Sequence, residues 1–252
     1  MKTKVSSLNN ICLTVDEIIA YLKRTGLPTI LVEGSDDKAV YRYIESKLGE
    51  LEADILICNS RDALLKIYKR KDEFENSKVV FVADKDMWYF TGIPEEYQNN
   101  IIFSKGYSIE NDIYIKEIFE GLLEEEEKQQ YIKLIKELSR WFAFEVNRYK
   151  SEGFSLCDTH INKISDINSN ELRDKYLKDI GFVEPDKELI DEIIGNYNHA
   201  LRGKNLFQAL LRFLSSSKRI SKYSRQNLLE IGSKNRNENI GILYKNIENC
   251  LK

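Results

Sequence analysis

Three carboxylates in this chain directly follow apolar segments that have the composition of buried strands. Glu33 comes after the run Thr29–Val32. Asp84 and Asp86 come after Lys78–Ala83. Carboxylates are costly to desolvate unless something pairs with them, and neighbouring carboxylates also repel each other. A hard divalent cation removes both costs, because its positive charge compensates the carboxylates. Mg2+ and Mn2+ prefer oxygen ligands of this kind.

The spacing of these acids predicts that they share one site. Residues i and i+2 of an extended segment point to the same side, so Asp84 and Asp86 are expected to converge while Lys85 points away. If the two strands are neighbours, Glu33 faces that pair across about 5 Å. A lone Asp-x-Asp is weak evidence, since turns collect aspartates. The combined pattern predicts a metal site.

The elements that must position these residues alternate along the chain. Strands are predicted at Thr29–Val32, Asp54–Cys58, Lys78–Ala83 and Ile101–Phe103. Helices are predicted from the capping box Thr14–Glu17 to about Thr25, at Asp36–Leu48 and at Arg61–Phe74. This order predicts an α/β fold with a parallel sheet covered by helices. In such sheets, ligands bind beyond the carboxyl ends of the strands.

The sequence pattern changes after about Ile113. A long helix is predicted at Gly121–Lys150, and its run of glutamates at 124–127 favours a helix start through the dipole. A loop-rich tract, Ser151–Asn170, follows. Further helical patterns lie at Glu171–Ile180, Lys187–Ala200, Leu206–Leu214, Tyr223–Ile231 and Asn239–Leu251. We therefore predict an α/β domain over residues 1–118 and a helical region over 119–252 packed on it.

Composition limits the classes of partner. The 252 residues are 42% hydrophobic and carry a net charge of -3, so any polyanion must meet a local basic patch. The candidate patch is the tract 218–236, in which Tyr223 offers a stacking group. The predicted nucleic-acid-binding residues are Lys218, Arg219, Lys222 and Arg225. The alternative is a solvated surface helix.

No targeting or metal-cluster motif accompanies these residues. The first ten residues lack an apolar core, and no apolar run reaches the length of a membrane span, so neither a signal peptide nor a membrane helix is predicted. The four cysteines are scattered without a Cys-x-x-Cys pair, which predicts thiols in a reducing cytoplasm rather than zinc or disulfides. Both histidines are predicted to be structural.

Three motifs together resemble a known family. Glu33-Gly34-Ser35-Asp36-Asp37 and Asp84-Lys85-Asp86 resemble the two acidic motifs of the Toprim fold, found in primases, topoisomerases and OLD-type nucleases. The resemblance covers about residues 28–115. A third segment, Lys105–Tyr114, is similar to the Tyr-x-Ile-Glu-Asn signature of a Toprim subgroup encoded beside ABC-type ATPases in bacterial anti-phage systems. Within that subgroup, the chain resembles the effectors of the PARIS system.

The resemblance implies roles for individual residues. The implied metal ligands are Glu33, Asp37, Asp84, Asp86 and Glu110. Glu33 is also the implied general acid or base, and Asp112 is less well placed than Glu110. The segment Ala200–Leu211 resembles a Gly-Lys segment of the subgroup, so the resemblance implies that Lys204 stabilises the charge that develops on the scissile phosphate. The alternative for Lys204 is a helix-flanking lysine.

The resemblance also implies an activity and partners. It predicts a Mg2+- or Mn2+-dependent nuclease that hydrolyses RNA, in particular transfer RNA, when released by an ABC-type ATPase, and a free effector that forms a homodimer. The chain has no Walker motif, so the ATPase must be a separate chain. Two alternatives stay open. One is a DNA nuclease acting with an OLD-like ATPase, and the other is a non-catalytic interaction module of an ATPase complex.

Overall fold

The computed structural model describes residues 13–34, 38–235 and 237–252. It contains a parallel sheet with surrounding helices, so the predicted α/β class is confirmed. The strands are β1 (Thr29–Val32), β2 (Asp54–Ile57), β3 (Val79–Ala83) and β4 (Ile101–Phe103). They lie in the order β2-β1-β3-β4, and all three pairings are parallel.

The helices cover most of the remaining chain. In chain order they are α1 (Val15–Leu22), α2 (Lys38–Lys47), α3 (Arg61–Lys69), α4 (Trp88–Thr91), α5 (Glu95–Gln98), α6 (Ile109–Ile113), α7 (Lys116–Gly121), α8 (Glu125–Glu152), α9 (Ile161–Ile164), α10 (Asp174–Asp179), α11 (Lys187–Gly195), α12 (Tyr197–Ala200), α13 (Gly203–Leu214), α14 (Arg225–Lys234) and α15 (Glu238–Leu251). Two short 3-10 helices lie at Gly49–Leu51 and Lys71–Phe74.

The described residues form two compact units. The first contains the sheet and consists of the described parts of Met1–Lys85, Ile93–Ser104 and Leu229–Lys252. The second consists of Asp86–Gly92 and Lys105–Leu228 and is helical. The domain boundary expected at residue 118 stays a prediction. The chain leaves the sheet unit after β3, returns for β4, and returns again with its C-terminal helix.

Strand register aligns the carboxyl ends of the central strands. All four residues of β1 are buried, as expected for an inner strand of a parallel sheet. Val32, the last residue of β1, is opposite Ile57 on one side and Val82 on the other. The residues that follow β1, β2 and β3 therefore leave the sheet at one edge.

Helix α1 of the first unit begins with a polar cap. The predicted capping box is confirmed, because Thr14 Oγ1 accepts from the Glu17 N–H and the Thr14 N–H donates to Glu17. The α3 helix ends before its predicted limit, since the chain tightens into a 3-10 turn. The C-terminal helix α15 packs against β3 and β4, an arrangement that the sequence pattern did not predict.

The second unit is built around the long helix α8. Its start at the glutamate run is confirmed, with Glu124 and Glu127 forming a reciprocal cap. Large side chains of α8, including Tyr131, Trp141 and Phe142, are fully buried, and helices α11 and α13 pack against α8. These contacts give the helical unit an apolar core of its own.

A buried ion pair lies on α8. Arg148 Nη1 is 3.1 Å from Glu145 Oε1, and both side chains are nearly inaccessible to solvent. The Leu156 N–H donates to Glu145 Oε2, and Arg148 Nη2 donates to the Ile180 carbonyl. Burial raises the pKa of Glu145, while these contacts oppose the rise. The pair thereby connects α8 to two loops of the unit.

Replacing Arg148 by methionine is expected to lower the free energy of unfolding by about 3–5 kcal/mol, because the Glu145 carboxylate stays buried without its cation. Glu145 has a raised pKa in the folded protein, so the penalty is absent below its unfolded pKa and grows as pH rises through the folded pKa. Urea unfolding at several pH values measures this. Lys128 on the same helix, whose side chain is 42% exposed, is the control, since Lys128→Met should cost less than about 1 kcal/mol. Equal losses would contradict the prediction.

Candidate functional site

The structure brings Glu33 and Asp84 together at the carboxyl edge of the sheet. Glu33 is the first residue after β1, and Asp84 is the first residue after the adjacent strand β3. The Asp84 N–H donates to Glu33 Oε1 at 2.9 Å. Both side chains are half-buried. Two predicted metal ligands that lie far apart in the sequence are therefore neighbours in the first unit.

The turn after β3 is held from the neighbouring strands as well. The Lys85 N–H donates to Ser104 Oγ at 3.0 Å, and Ser104 directly follows β4. Arg61, at the start of α3 beyond β2, donates from Nη2 to the Lys85 carbonyl at 3.0 Å. Neither Arg61 nor Ser104 was singled out from the sequence. An arginine after a strand and a serine after another carry no distinctive pattern.

The negative charge of Glu33 affects the pKa of a nearby cysteine, Cys58. The Cys58 N–H donates to the Val32 carbonyl, so Cys58 lies beside the end of β1. Burial raises the pKa of the Cys58 thiol to about 12, and the negative charge of Glu33 adds to the rise. The thiol is therefore protonated at neutral pH, and Cys58 is a free, buried cysteine.

Asp86 belongs to the second unit and departs from the expected conformation. Its φ is +48°, in the left-handed region, and its N–H donates to the Tyr107 carbonyl at 2.7 Å. The expectation that residues 84–86 form an extended segment is therefore wrong, because the chain turns at Asp86. Aspartate is one of the few non-glycine residues that adopts this conformation readily. Its role as a metal ligand stays a prediction.

The polar residues of α6 are deeply buried in the second unit. The side chain of Glu110 is 2% exposed, and its Oε1 lies 3.0 Å from Arg225 Nη2. Asp112 accepts hydrogen bonds from the N–H groups of Lys105 and Gly106, so it fixes the loop before the helix. Glu110 thus carries a charge that Arg225 compensates, and Asp112 has a structural role.

Gly203 brings the Gly-Lys segment into contact with α6. A Cβ on Gly203 would lie 2.5 Å from Ser108 Oγ and 2.6 Å from Glu110 Cβ. Asn111 adds two hydrogen bonds from Nδ2, to the carbonyls of Asn198 and Leu201. The two segments that resemblance singled out are therefore packed together. The half-buried Lys204 follows Gly203 in α13.

The basic tract divides into exposed and ion-paired residues. Lys218 and Lys222 are exposed. Arg219 Nη2 lies 3.0 Å from Glu127 Oε2 and also donates to the Leu122 carbonyl. Arg225 pairs with Glu110. Lys218 and Arg219 line a groove of about 1600 Å³ whose wall includes the glutamates 124–127. The binding roles of these four residues stay predictions, with the two lysines the more accessible.

The carboxylates of the first unit suit a hard cation. Mg2+ is usually held by one or two carboxylates together with water and phosphate oxygens, so Glu33 and Asp84 supply a fitting donor pair. Asp37 lies outside the described residues. Within the described ranges, no group of three or more His, Cys, Asp or Glu side chains is arranged to hold a metal ion. The predicted larger ligand set therefore stays a prediction.

Comparison with protein-family models and with curated proteins gives no match for this chain. A separate finding concerns membranes. In the part of the chain that the structure describes, every helix is too short or too polar to cross a bilayer.

Replacing Gly203 by alanine is expected to lower the free energy of unfolding by about 1–3 kcal/mol, because the added methyl group meets atoms of α6. The control is Gly195→Ala at the end of α11, where a Cβ meets nothing within 4 Å. That change should stabilise the protein by at most about 1 kcal/mol. Urea unfolding of both variants measures the difference. Similar effects of the two substitutions would show that α6 and α13 are not closely packed.

Proposed function

We propose that this protein is a Mg2+- or Mn2+-dependent nuclease that hydrolyses phosphodiester bonds in RNA. The observation that carries the proposal is the pairing of Glu33 with Asp84 at the carboxyl edge of a parallel sheet. Ligand sites of α/β proteins form at such edges. The resemblance of the acidic motifs to Toprim nucleases supports the reaction class.

The proposed site uses carboxylates of the first unit to hold the cation. A bound Mg2+ or Mn2+ ion lowers the pKa of an attacking water and stabilises the leaving oxygen. Glu33 and Asp84 supply oxygen ligands, and the Asp84 N–H orients the Glu33 carboxylate. Resemblance adds Asp37, Asp86 and Glu110 to the ligand set. Glu33 is also the proposed general acid or base.

Two classes of basic residue have proposed roles toward the substrate. Lys204 is proposed to stabilise the charge that develops on the scissile phosphate, as resemblance to OLD-type sites implies. The exposed Lys218 and Lys222 are proposed to contact the phosphate backbone. Preference for RNA, in particular transfer RNA, comes from the resemblance to anti-phage effectors.

The proposal includes an external regulator. A free nuclease harms its own cell unless another protein restrains it. Resemblance implies that the restraining protein is a separate ABC-type ATPase and that the released effector forms a homodimer. The scattered cysteines favour a cytoplasmic location. In this proposal, the ATPase binds the effector until infection and then releases it.

Replacing Glu33 by glutamine is expected to reduce cleavage by about 100-fold or more, because the charge that binds the cation and moves the proton is lost. Folding should persist, since the glutamine oxygen can still accept from the Asp84 N–H. Both proteins are incubated with Mg2+ or Mn2+ and separate pools of transfer RNA, messenger RNA, plasmid and single-stranded DNA. They are also expressed alone in a bacterium, where only wild type should arrest growth. Glu95→Gln, an exposed acid of the same unit, is the control.

The outcomes of this experiment separate the candidate functions. Cleavage of RNA by wild type and by Glu95→Gln supports the proposal. Cleavage of DNA alone favours the DNA nuclease. Intact nucleic acids in every pool, with no growth arrest, favour the non-catalytic interaction module. Equal cleavage by Glu33→Gln and wild type would show that the Glu33 charge is not needed.

Neutralising Lys218 and Lys222 together with glutamine is expected to flatten the salt dependence of RNA binding by about 1.4 in the slope of log K against log salt, since each phosphate contact contributes about 0.7 for a single strand. The double substitution Lys175→Gln and Lys187→Gln, on exposed residues of α10 and α11, is the charge-matched control. Fluorescence anisotropy at several salt concentrations measures the slopes. Equal slopes for the two variants would show that Lys218 and Lys222 do not contact phosphates and belong to a solvated surface.

A further inference from the structure

The turn after β3 carries Asp84, and residues that follow the other three strands form hydrogen bonds with this turn. Glu33 follows β1 and accepts from the Asp84 N–H. Ser104 follows β4 and accepts from the Lys85 N–H. Arg61 follows β2 and donates to the Lys85 carbonyl. The backbone between the two acids of the Asp-x-Asp motif is therefore held by three separate segments of the first unit.

Arg61 is itself fixed in place by its surroundings. The chain leaves β2 through Asn59, whose φ of +68° turns it into α3. Ser60 caps the helix by accepting from the Ala63 N–H at 3.1 Å. Helix α3 packs against β3. The half-buried Arg61 side chain thereby links the segments that follow β2 and β3, which are the two neighbours of β1.

The contact acts on the backbone of a metal-binding motif. Carbonyl oxygens and N–H groups that lose a partner in a half-buried turn favour other conformations, since an unmade hydrogen bond costs about 1–3 kcal/mol. A change in the Lys85 peptide planes would reorient the Asp84 side chain directly before it. Groups that hold a metal ligand from outside commonly change metal affinity by about 10–100-fold when removed.

We infer that Arg61 is a positioning residue for cation binding, acting through the Lys85 carbonyl to hold Asp84 beside Glu33. The inference rests on the proposed function, because it assumes that these carboxylates bind a divalent cation. Ser104 serves the same turn from the opposite edge of the sheet. Arg61 makes no proposed contact with substrate or cation.

The experiment measures Mn2+ affinity and amide hydrogen exchange rather than turnover. Arg61→Met keeps much of the aliphatic stem and removes the donor, while Arg61→Lys keeps a shorter donor. The expected result is Mn2+ binding about 10–100-fold weaker for Arg61→Met, with Arg61→Lys between it and wild type. In the metal-free protein, the amides of Asp84 and Lys85 should exchange about 10-fold faster in Arg61→Met.

The control is Arg70→Met, at the opposite end of α3. Arg70 directly follows α3 and forms exposed ion pairs with Glu73 and Asp16, so its loss removes a nearby arginine without touching the turn. Both Mn2+ affinity and amide exchange at Asp84 and Lys85 should match wild type. An equal loss of Mn2+ affinity in Arg70→Met and Arg61→Met would overturn the inference, because it would reflect charge or stability alone.

Further outcomes separate this inference from the proposed function. Wild type that binds no Mn2+ would overturn both. Wild-type binding with unchanged affinity and unchanged amide exchange in Arg61→Met would overturn the inference and leave the proposed function intact. If thermal unfolding shows that Arg61→Met does not fold, Arg61→Lys decides, since its shorter side chain weakens the contact with the Lys85 carbonyl. Mn2+ binding weaker than wild type in Arg61→Lys supports the inference, and wild-type binding overturns it.

Discussion

The hydrogen bond from the Asp84 N–H to Glu33 Oε1 depends on the parallel pairing of β1 with β3 in one register. Because Val32 lies opposite Val82, the next residues of both strands leave the sheet at the same level. Parallel strands need crossover connections, so the two acids are 51 positions apart in sequence and adjacent in space. A shift of one residue in the register would turn one acid to the other face of the sheet. Strand pairing therefore determines which side chains meet at the candidate site.

A comparable polar constraint organises the helical unit. Asn111 is fully buried and donates from one amide group to the carbonyls of Asn198 and Leu201. Gly203 permits the close approach that these bonds require, since any larger residue meets Ser108 and Glu110. Buried polar networks of this kind specify one arrangement, because each member is costly to leave unsatisfied. The helical unit thus has a defined polar centre in addition to its apolar core.

The sequence predicted the features that depend on local composition. The four strands appear within one residue of their predicted limits, because a buried parallel strand is a continuous apolar run bounded by polar residues. The turn at Asp86 was missed, since the Asp86 N–H donates to Tyr107, a residue of another segment that local sequence does not bring near. The partners of Arg219 and Arg225 were also not predictable. Arg219 pairs with Glu127, which is 92 positions away, and Arg225 pairs with Glu110, which is 115 positions away. Only the tertiary structure brings these residues together. One helix was predicted over Lys187–Ala200, but it is divided into α11 and α12 at Asn196, directly after Gly195.

The ion pair between Glu110 and Arg225 connects two roles that the sequence treated as independent. Glu110 was expected to bind a metal ion, and Arg225 was expected to bind a phosphate. A carboxylate that is 2% exposed needs a compensating cation, and Arg225 supplies it. If Arg225 moved to a phosphate, Glu110 would be left as an uncompensated buried charge unless a metal ion replaced the guanidinium. If Arg225 stayed, Glu110 would have less capacity to bind a metal ion. The two expected roles are therefore energetically coupled, and each is more favourable when the other is also fulfilled.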